Sequence, residues 1–301
     1  MIHNMILYEN KNNYIFWLYH LGISIPTLSI IYLNLECNDL KRIYDGHFAD
    51  YYMSRLIPFT QKDISLITNQ DLVIKSKQET NNFLKKFNDN KVIIKIYFDD
   101  DFPKHLLHIP NPPFLLFVRG NYHKLNETKL IAVAGSRQIS DINSDILSRT
   151  VVNIVKNNFG TVSGLAYGTD IITNSLTAKL GGYTVAVLPG SILSIIPSAH
   201  KQQADQILDS GGLLISEFYT TNVSRKNFIT RNRIISGLGD CLLLPELRSR
   251  SGTMHTARYA WKQKKKIFCF DNQSSGIKKI LNSGQGTIYK NIGQFAELYE
   301  N

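Results

Sequence analysis

From Lys129 to the C-terminus, short runs of aliphatic and β-branched residues alternate with helix-length segments of mixed polarity. The runs are LIAVAG (130–135), TVSG (161–164), TVAVLPG (184–190), GLLISE (212–217), CLLLPE (241–246) and KIFCF (266–270). Helical periods lie between them near 143–157, 169–180, 199–210, 230–238 and 252–263. Alternation of this kind predicts βαβ units around six parallel-type strands: an α/β fold, Rossmann-like, with a doubly wound, mostly parallel sheet.

The N-terminal part follows another pattern. Residues 1–90 read as short helices with turn signals at Gly22 to Pro26 and at Asp45–Gly46, then a polar helix up to Asn90. This predicts a small helical domain over 1–90, of the SAM or helix-hairpin-helix kind, ahead of a Rossmann-like domain over 91–301. Between 94 and 121, Pro103, Pro110, Pro112 and Pro113 forbid a continuous helix, so that stretch reads as a leading strand and wrapper. Tyr14 to Leu35 carries no charged residue over 22 positions, about the length that crosses a bilayer. His20, Ser24, Pro26, Thr27, Ser29 and Asn34 interrupt it, and two short buried helices joined at LGISIP are expected rather than a membrane span.

Composition sharpens the picture. Hydrophobic residues make up 43% of the 301 and charged residues 19%, a balance that supports a packed core. The formal net charge is +10, and it is unevenly placed: residues 1–90 hold nine charges of each sign, whereas 91–301 hold 25 positive and 15 negative. Within Arg225 to Lys266, eleven basic residues face only Asp240 and Glu246. A polyanion partner would explain this excess, and a solvated basic helix end would explain it too. Three scattered cysteines (Cys37, Cys241, Cys269) suit reduced core thiols better than a zinc site or a disulfide framework. No secretory signal pattern opens the chain, so a cytoplasmic location is expected.

In a doubly wound sheet, ligands bind beyond the carboxyl ends of the strands. Gly135, Ser136 and Arg137 follow the first strand; Ser163 and Gly164 end the second, and Gly168 to Asp170 open a helix. Glycine lets backbone approach a phosphate, and helix N-termini present free N–H groups to an anion, although glycines also simply make tight turns. In FITRNRIISGL (228–238), Arg231 and Arg233 flank Asn232 at an expected helix start. Arginine there opposes the helix dipole, and a phosphate lying between the two guanidinium groups would account for the choice. After the fifth run, Glu246 precedes Ser251, Gly252 and Thr253, which can cap the next helix or donate to phosphate. The chain has no GxxxxGK[ST], GxGxxG, HExxH or GxSxG pattern, which removes support for ATP hydrolysis, redox and hydrolase chemistry. His200 and His255 stand alone and read as structural or solvated.

Taken in order, GSR (135–137), SGLAYGTD (163–170), GGYTVAVLPG (181–190), GGLLISE (211–217), RNRIISGL (231–238), PE (245–246) and SGTMHTA (251–257) are similar, in order and spacing, to the DNA-processing protein A (DprA, or Smf) family. DFPKHL, IPNPP and RG, within 101–120, resemble the segment that leads into that family's sheet. The resemblance covers about residues 95–290. It implies an extended Rossmann fold, a homodimer, sequence-independent binding of single-stranded DNA, protection of that DNA, and loading of RecA during natural transformation or recombination. Carried over by position, Arg137 contacts the DNA backbone while Gly135 and Ser136 shape the pocket. Ser163 and Gly164 form its floor, Arg231, Asn232 and Arg233 supply the RNR element, and Ser251, Gly252 and Thr253 supply the last loop.

The chain departs from the family at Thr173 and Asn174, which stand where an Ala-His pair is usual, and at LPGSIL (188–193), where a more glycine-rich turn is usual. A C-terminal winged helix is not expected. The expectation is therefore a nonenzymatic single-strand binder, needing no cofactor or metal and partnered by DNA and a RecA-type recombinase, with Phe228 or Tyr167 available to stack on bases. Two rivals share the fold: a nucleotide-cleaving enzyme like the LOG proteins, whose PGGxGTxxE pattern this chain lacks, and a nucleotide-sensing defence module.

Overall fold

A computed structural model describes residues 10–54 and 56–300. The chain divides into two compact units, 1–100 and 101–301.

The first unit contains α1 (Lys11–Leu21), α2 (Ile25–Asn34), α3 (Cys37–Tyr44), α4 (Phe48–Met53), α5 (Gln61–Ile67), α6 (Gln70–Asp89) and β1 (Ile93–Ile96). The uncharged stretch from Tyr14 to Leu35 is indeed two helices, α1 ending at Gly22 and α2 starting with Pro26 in its first turn. Both are buried in this unit through Ile15, Phe16, Leu18, Leu28 and Ile31. Among the described residues no helix is long and apolar enough to cross a membrane. Asp63 is fully buried and accepts hydrogen bonds from the Ser24 amide, the Thr27 hydroxyl and the Thr60 hydroxyl, which ties the starts of α2 and α5 together. Trp17 Nε1 donates to Ser76 Oγ at 3.0 Å and so pins α1 to α6.

The second unit is built on β2 (Leu115–Gly120), β3 (Leu130–Val133), β4 (Gly160–Ser163), β5 (Thr184–Val187), β6 (Leu213–Ser216), β7 (Cys241–Leu244), β8 (Lys266–Cys269) and β9 (Thr287–Ile288). Its helices are α7 (Lys104–Leu107), α8 (Asp141–Lys156), α9 (Thr169–Lys179), α10 (Lys201–Asp209), α11 (Arg225–Leu238), α12 (Thr253–Lys262), α13 (Ser275–Asn282) and α14 (Gly293–Ala296). The strands lie in the order β2-β6-β5-β4-β3-β7-β8-β9. All six predicted strands are present and parallel, while β2 joins them antiparallel to β6, with Phe117 opposite Ser216. The wrapper thus supplies a strand of opposite direction. Every residue of β3 to β7 is buried, as a parallel sheet covered on both faces requires.

Register sets where the loops emerge. Val133 pairs with Leu243 and Ser163 with Ala186, so β3, β4, β5 and β7 end level with one another. The strand order turns at β3, which has β4 on one side and β7 on the other. The carboxyl end of β3 is therefore the switch point at which such sheets open a crevice.

Two features differ from expectation. Helix α11 starts at Arg225, five residues earlier than the apolar pattern indicated, because Ser224 and Asn227 form a reciprocal capping box. The C-terminal segment, which the strand pattern left unassigned, closes the core. Phe295 is completely buried beside Phe159 and Phe268, and Tyr289, Ile292, Leu298 and Tyr299 pack on the same cluster. Cys241 and Cys269 are free, buried thiols, and burial pushes Cys269 up to about 12.

Truncating Phe295 empties the centre of this cluster. Phe295→Ala is expected to cost about 3–5 kcal/mol in urea denaturation of the whole chain; a loss below about 1 kcal/mol would show that the C-terminal segment is not part of the core.

Candidate nucleic-acid interface

Beyond the carboxyl ends of the strands lies a hollow of about 990 Å³. Its walls are Gly135, Ser136 and Arg137 after β3, Ala166 and Tyr167 after β4, one face of α11, the loop Arg248 to Gly252 after β7, and the start of α12 at Thr253. The contributing face of α11 is Arg225, Phe228, Arg231, Asn232 and Ile235, a run of positions three and four apart.

Hydrogen bonds hold the loops in place. The Ser136 amide donates to the Glu246 carbonyl at 2.7 Å, and Thr253 Oγ1 donates to the Gly135 carbonyl at 2.8 Å, linking the β3 and β7 loops. Thr169 donates to the Ser136 carbonyl through its amide at 3.1 Å. Gly168, at φ 71°, brings the β4 loop against this same turn, and a Cβ there would strike the Ser136 and Arg137 backbone. Only glycine meets both conditions. Arg137 is exposed, its guanidinium carbon 5.6 Å from the centre of the Phe228 ring.

The two RNR arginines do different work. Arg231 is buried, its Nη1 donating to the carbonyls of Gly164 (2.8 Å) and Val187 and its Nε to Asn232 Oδ1. It crosses so close to Gly164 that a Cβ there would occupy the guanidinium. Burial pulls Arg231 down to about 10, against the opposing pull of Asp170, and burial raises Asp170 against the Arg231 charge. Arg231 is thus a strut between α11 and the ends of β4 and β5.

Arg233, expected beside Arg137, is not in the hollow. It makes a two-pronged pair with Glu217, 2.6 Å on each arm, and its Nε donates to the Asn111 carbonyl at 2.7 Å. Residues two apart on a helix point some 200° apart, so α11 cannot turn both side chains to one wall. Ser163 and Gly164, expected as the floor, lie a layer beneath it: Ser163 Oγ donates to the Val133 carbonyl, and Gly164 is covered by Arg231. Of the predicted residues, Gly135, Ser136, Arg137, Arg231, Asn232, Ser251, Gly252 and Thr253 do line the hollow.

Residue-by-residue reading passed over Arg225, Arg248, Arg250 and Arg258, all exposed on its walls. Their signal was the basic excess of 225–266, which gave charge without position. Glu246 is occupied elsewhere, accepting from the Ser140 amide (3.0 Å), Ser140 Oγ (2.6 Å) and Asn143 Nδ2 (2.7 Å) at the start of α8. Burial opposes its ionised form, but these hydrogen bonds prevail and hold the carboxyl below its ordinary 4.5. Asn174, at the family's histidine position, is buried and donates to Thr184 Oγ1 at 2.9 Å, a core role.

Residues 92–300 match the family described as DNA recombination-mediator protein A. The chain belongs to this family. It is 29% identical to the DNA processing protein DprA of Bacillus subtilis over 204 residues, 66% of this chain and 69% of that one. It is 32% identical to protein Smf of Synechocystis over 199 residues, 63% of this chain and 50% of the relative, so the match spans only half of that protein's length. The fold is that of DNA processing protein A from Streptococcus pneumoniae, with a TM-score of 0.72 at 22% identity over 96% of this chain and 98% of that one. A second structure, of DNA processing protein A from Helicobacter pylori, concerns its single-stranded DNA binding mode. It aligns with a TM-score of 0.60 at 25% identity over 69% of this chain and 95% of that one.

The two classes of arginine give opposite expectations for stability. Arg233→Ala leaves Glu217, whose side chain is only 14% exposed, without its partner and should cost about 3 kcal/mol, whereas Arg137→Ala should change stability by less than about 0.5 kcal/mol. Chemical denaturation of both variants compares them directly. The depressed Glu246 pKa makes its contribution complete above 4.5 and lost as pH falls through and below that value. The stability gap between the parent protein and Glu246→Gln should therefore shrink between about pH 6 and about pH 3; a constant gap would refute the capping role.

Proposed function

We propose that this chain binds single-stranded DNA without sequence preference in the hollow at the carboxyl edge of its sheet. In this reading it protects the strand and mediates its transfer to a RecA-type recombinase. One observation carries the reading: Arg137, Arg225, Arg248, Arg250 and Arg258 line the hollow exposed, while its sole lining carboxylate among the described residues, Asp170, is buried against Arg231. Guanidinium groups grip phosphate oxygens through paired hydrogen bonds. Neutralising phosphates releases condensed counterions, a gain indifferent to base sequence.

A concave site favours the flexible strand over the duplex, a stiff rod that cannot turn its backbone inward over a few nucleotides. The family description and the single-strand binding of the Helicobacter pylori relative support the same partner. Assembly as a homodimer and action by binding rather than by chemistry belong to this proposal. The nucleotide-cleaving alternative is weakened because the PGGxGTxxE pattern is absent and Glu246, just beyond β7, serves as a helix cap.

Gel-shift titrations of single- and double-stranded oligonucleotides at two salt concentrations test the reading. Single strands should bind tighter, with affinity falling steeply as salt rises. Arg137→Ala should weaken binding equally across sequences and flatten the log–log salt slope by about 0.7. A folded Arg137→Ala protein that binds like the parent would overturn the proposed site.

A further inference from the structure

The hollow carries two aromatic rings on its walls, Tyr167 and Phe228, and the structure sets them in different surroundings. One face of Phe228 is taken by Arg137, whose guanidinium carbon sits 5.6 Å from the ring centre. Phe228 thereby orients a phosphate-binding side chain. Tyr167 is 50% exposed, and its ring meets the ring of His200 at 4.5 Å and 66°, an edge-to-face contact. The His200 contact thus covers at most one face of the phenol, and half of the residue is exposed.

His200 is itself buried, 6% exposed, and its Nδ1 lies 2.8 Å from the Leu165 carbonyl. A carbonyl only accepts, so Nδ1 carries the proton and donates. Leu165 is fully buried with φ 55°, a left-handed backbone that leucine rarely adopts, two residues before Tyr167. Gly168, on the other side of Tyr167, is locked against the Arg137 backbone. The ring is therefore held against His200, its backbone is fixed at both flanks, and it shares the hollow with the exposed Arg137.

We propose that Tyr167 is a base-stacking platform of the hollow and that the buried His200 is its positioning residue, holding both the Leu165 turn and the phenol ring. The inference rests on the single-strand reading above and adds to it a contact with the bases, so that unstacked bases and not phosphates alone are recognised. Aromatic faces accept any base, which keeps the contact indifferent to sequence.

The test compares a normal single strand with an abasic strand of equal length, and follows the emission of 2-aminopurine placed in the normal strand. The parent protein should quench that emission. Tyr167→Ala should abolish the quenching and weaken binding of the normal strand about ten- to a hundred-fold, while abasic-strand affinity changes by less than about two-fold. Tyr167→Phe should restore both readouts. His200→Ala should reproduce the Tyr167→Ala pattern, and His200→Asn, which keeps an N–H for the Leu165 carbonyl, should recover quenching. Equal losses on normal and abasic strands in Tyr167→Ala, or quenching that survives it, would overturn the platform. Equal affinity of the parent protein for both strands would also overturn it while leaving the phosphate-binding site standing; failure to bind either strand would remove both.

Discussion

The site depends on a buried guanidinium. Arg231 lies across the ends of β4 and β5, donating to the Gly164 and Val187 carbonyls with Asp170 as its counter-charge. Removing such a charge from water is costly unless hydrogen bonds and an opposite charge replace the lost hydration. Strand-end carbonyls answer that need, because beyond the last strand pair they have no ladder partner. Once Arg231 is locked there, the rotation of α11 about its axis is settled. Phe228, Asn232 and Ile235 must then face the hollow, and Arg233 must face away, where Glu217 and the Asn111 carbonyl receive it. The same strut forces glycine at 164, since any side chain would displace the guanidinium.

The parallel strands were legible because each is a short apolar run separated by helix-length segments, and burial on both faces leaves no alternation to misread. The antiparallel strand β2 was legible only as an extended stretch, since prolines exclude helix without saying which strand it will pair. The start of α11 was misplaced for a local reason. Arg225 to Asn227 are polar and carry no apolar period, whereas the capping box that begins the helix lies in the side chains of Ser224 and Asn227. Residues 289–299 join the core through scattered aromatics on short elements, below the length at which periodicity can be read.

Legibility of the site divides along another line. Residues that act through backbone position were found by being glycine, serine or threonine at strand ends: Gly135, Ser136, Gly252 and Thr253. Residues that act through side-chain direction were found only where helix geometry was applied. Arg231 and Arg233 look like a matched pair in the sequence, yet a spacing of two places them on opposing faces of α11. The same geometry would have grouped Arg225, Phe228, Arg231, Asn232 and Ile235 as one wall. Arg248 and Arg250 lie in a loop, where no periodicity informs direction, and only the charge count marked them.

What separates the proposed binding surface from its support is solvation of the same chemical group. Exposed guanidinium groups at 137, 225, 248, 250 and 258 keep their hydration and their freedom, and can exchange water for phosphate at little cost in stability. Buried guanidinium groups at 231 and 233 are instead engaged within the protein, Arg231 by the Gly164 and Val187 carbonyls and Arg233 by the Glu217 carboxylate and the Asn111 carbonyl. A site made only of the first kind would lack shape, because flexible exposed side chains impose no path on a polymer. A site made only of the second kind would have no affinity. Placing the buried pair within the helix that forms one wall, and the exposed set on the surrounding loops and at exposed positions of α11 and α12, gives a rigid concave floor under an adaptable electropositive rim. That combination suits a ligand whose backbone charge is constant and whose bases vary.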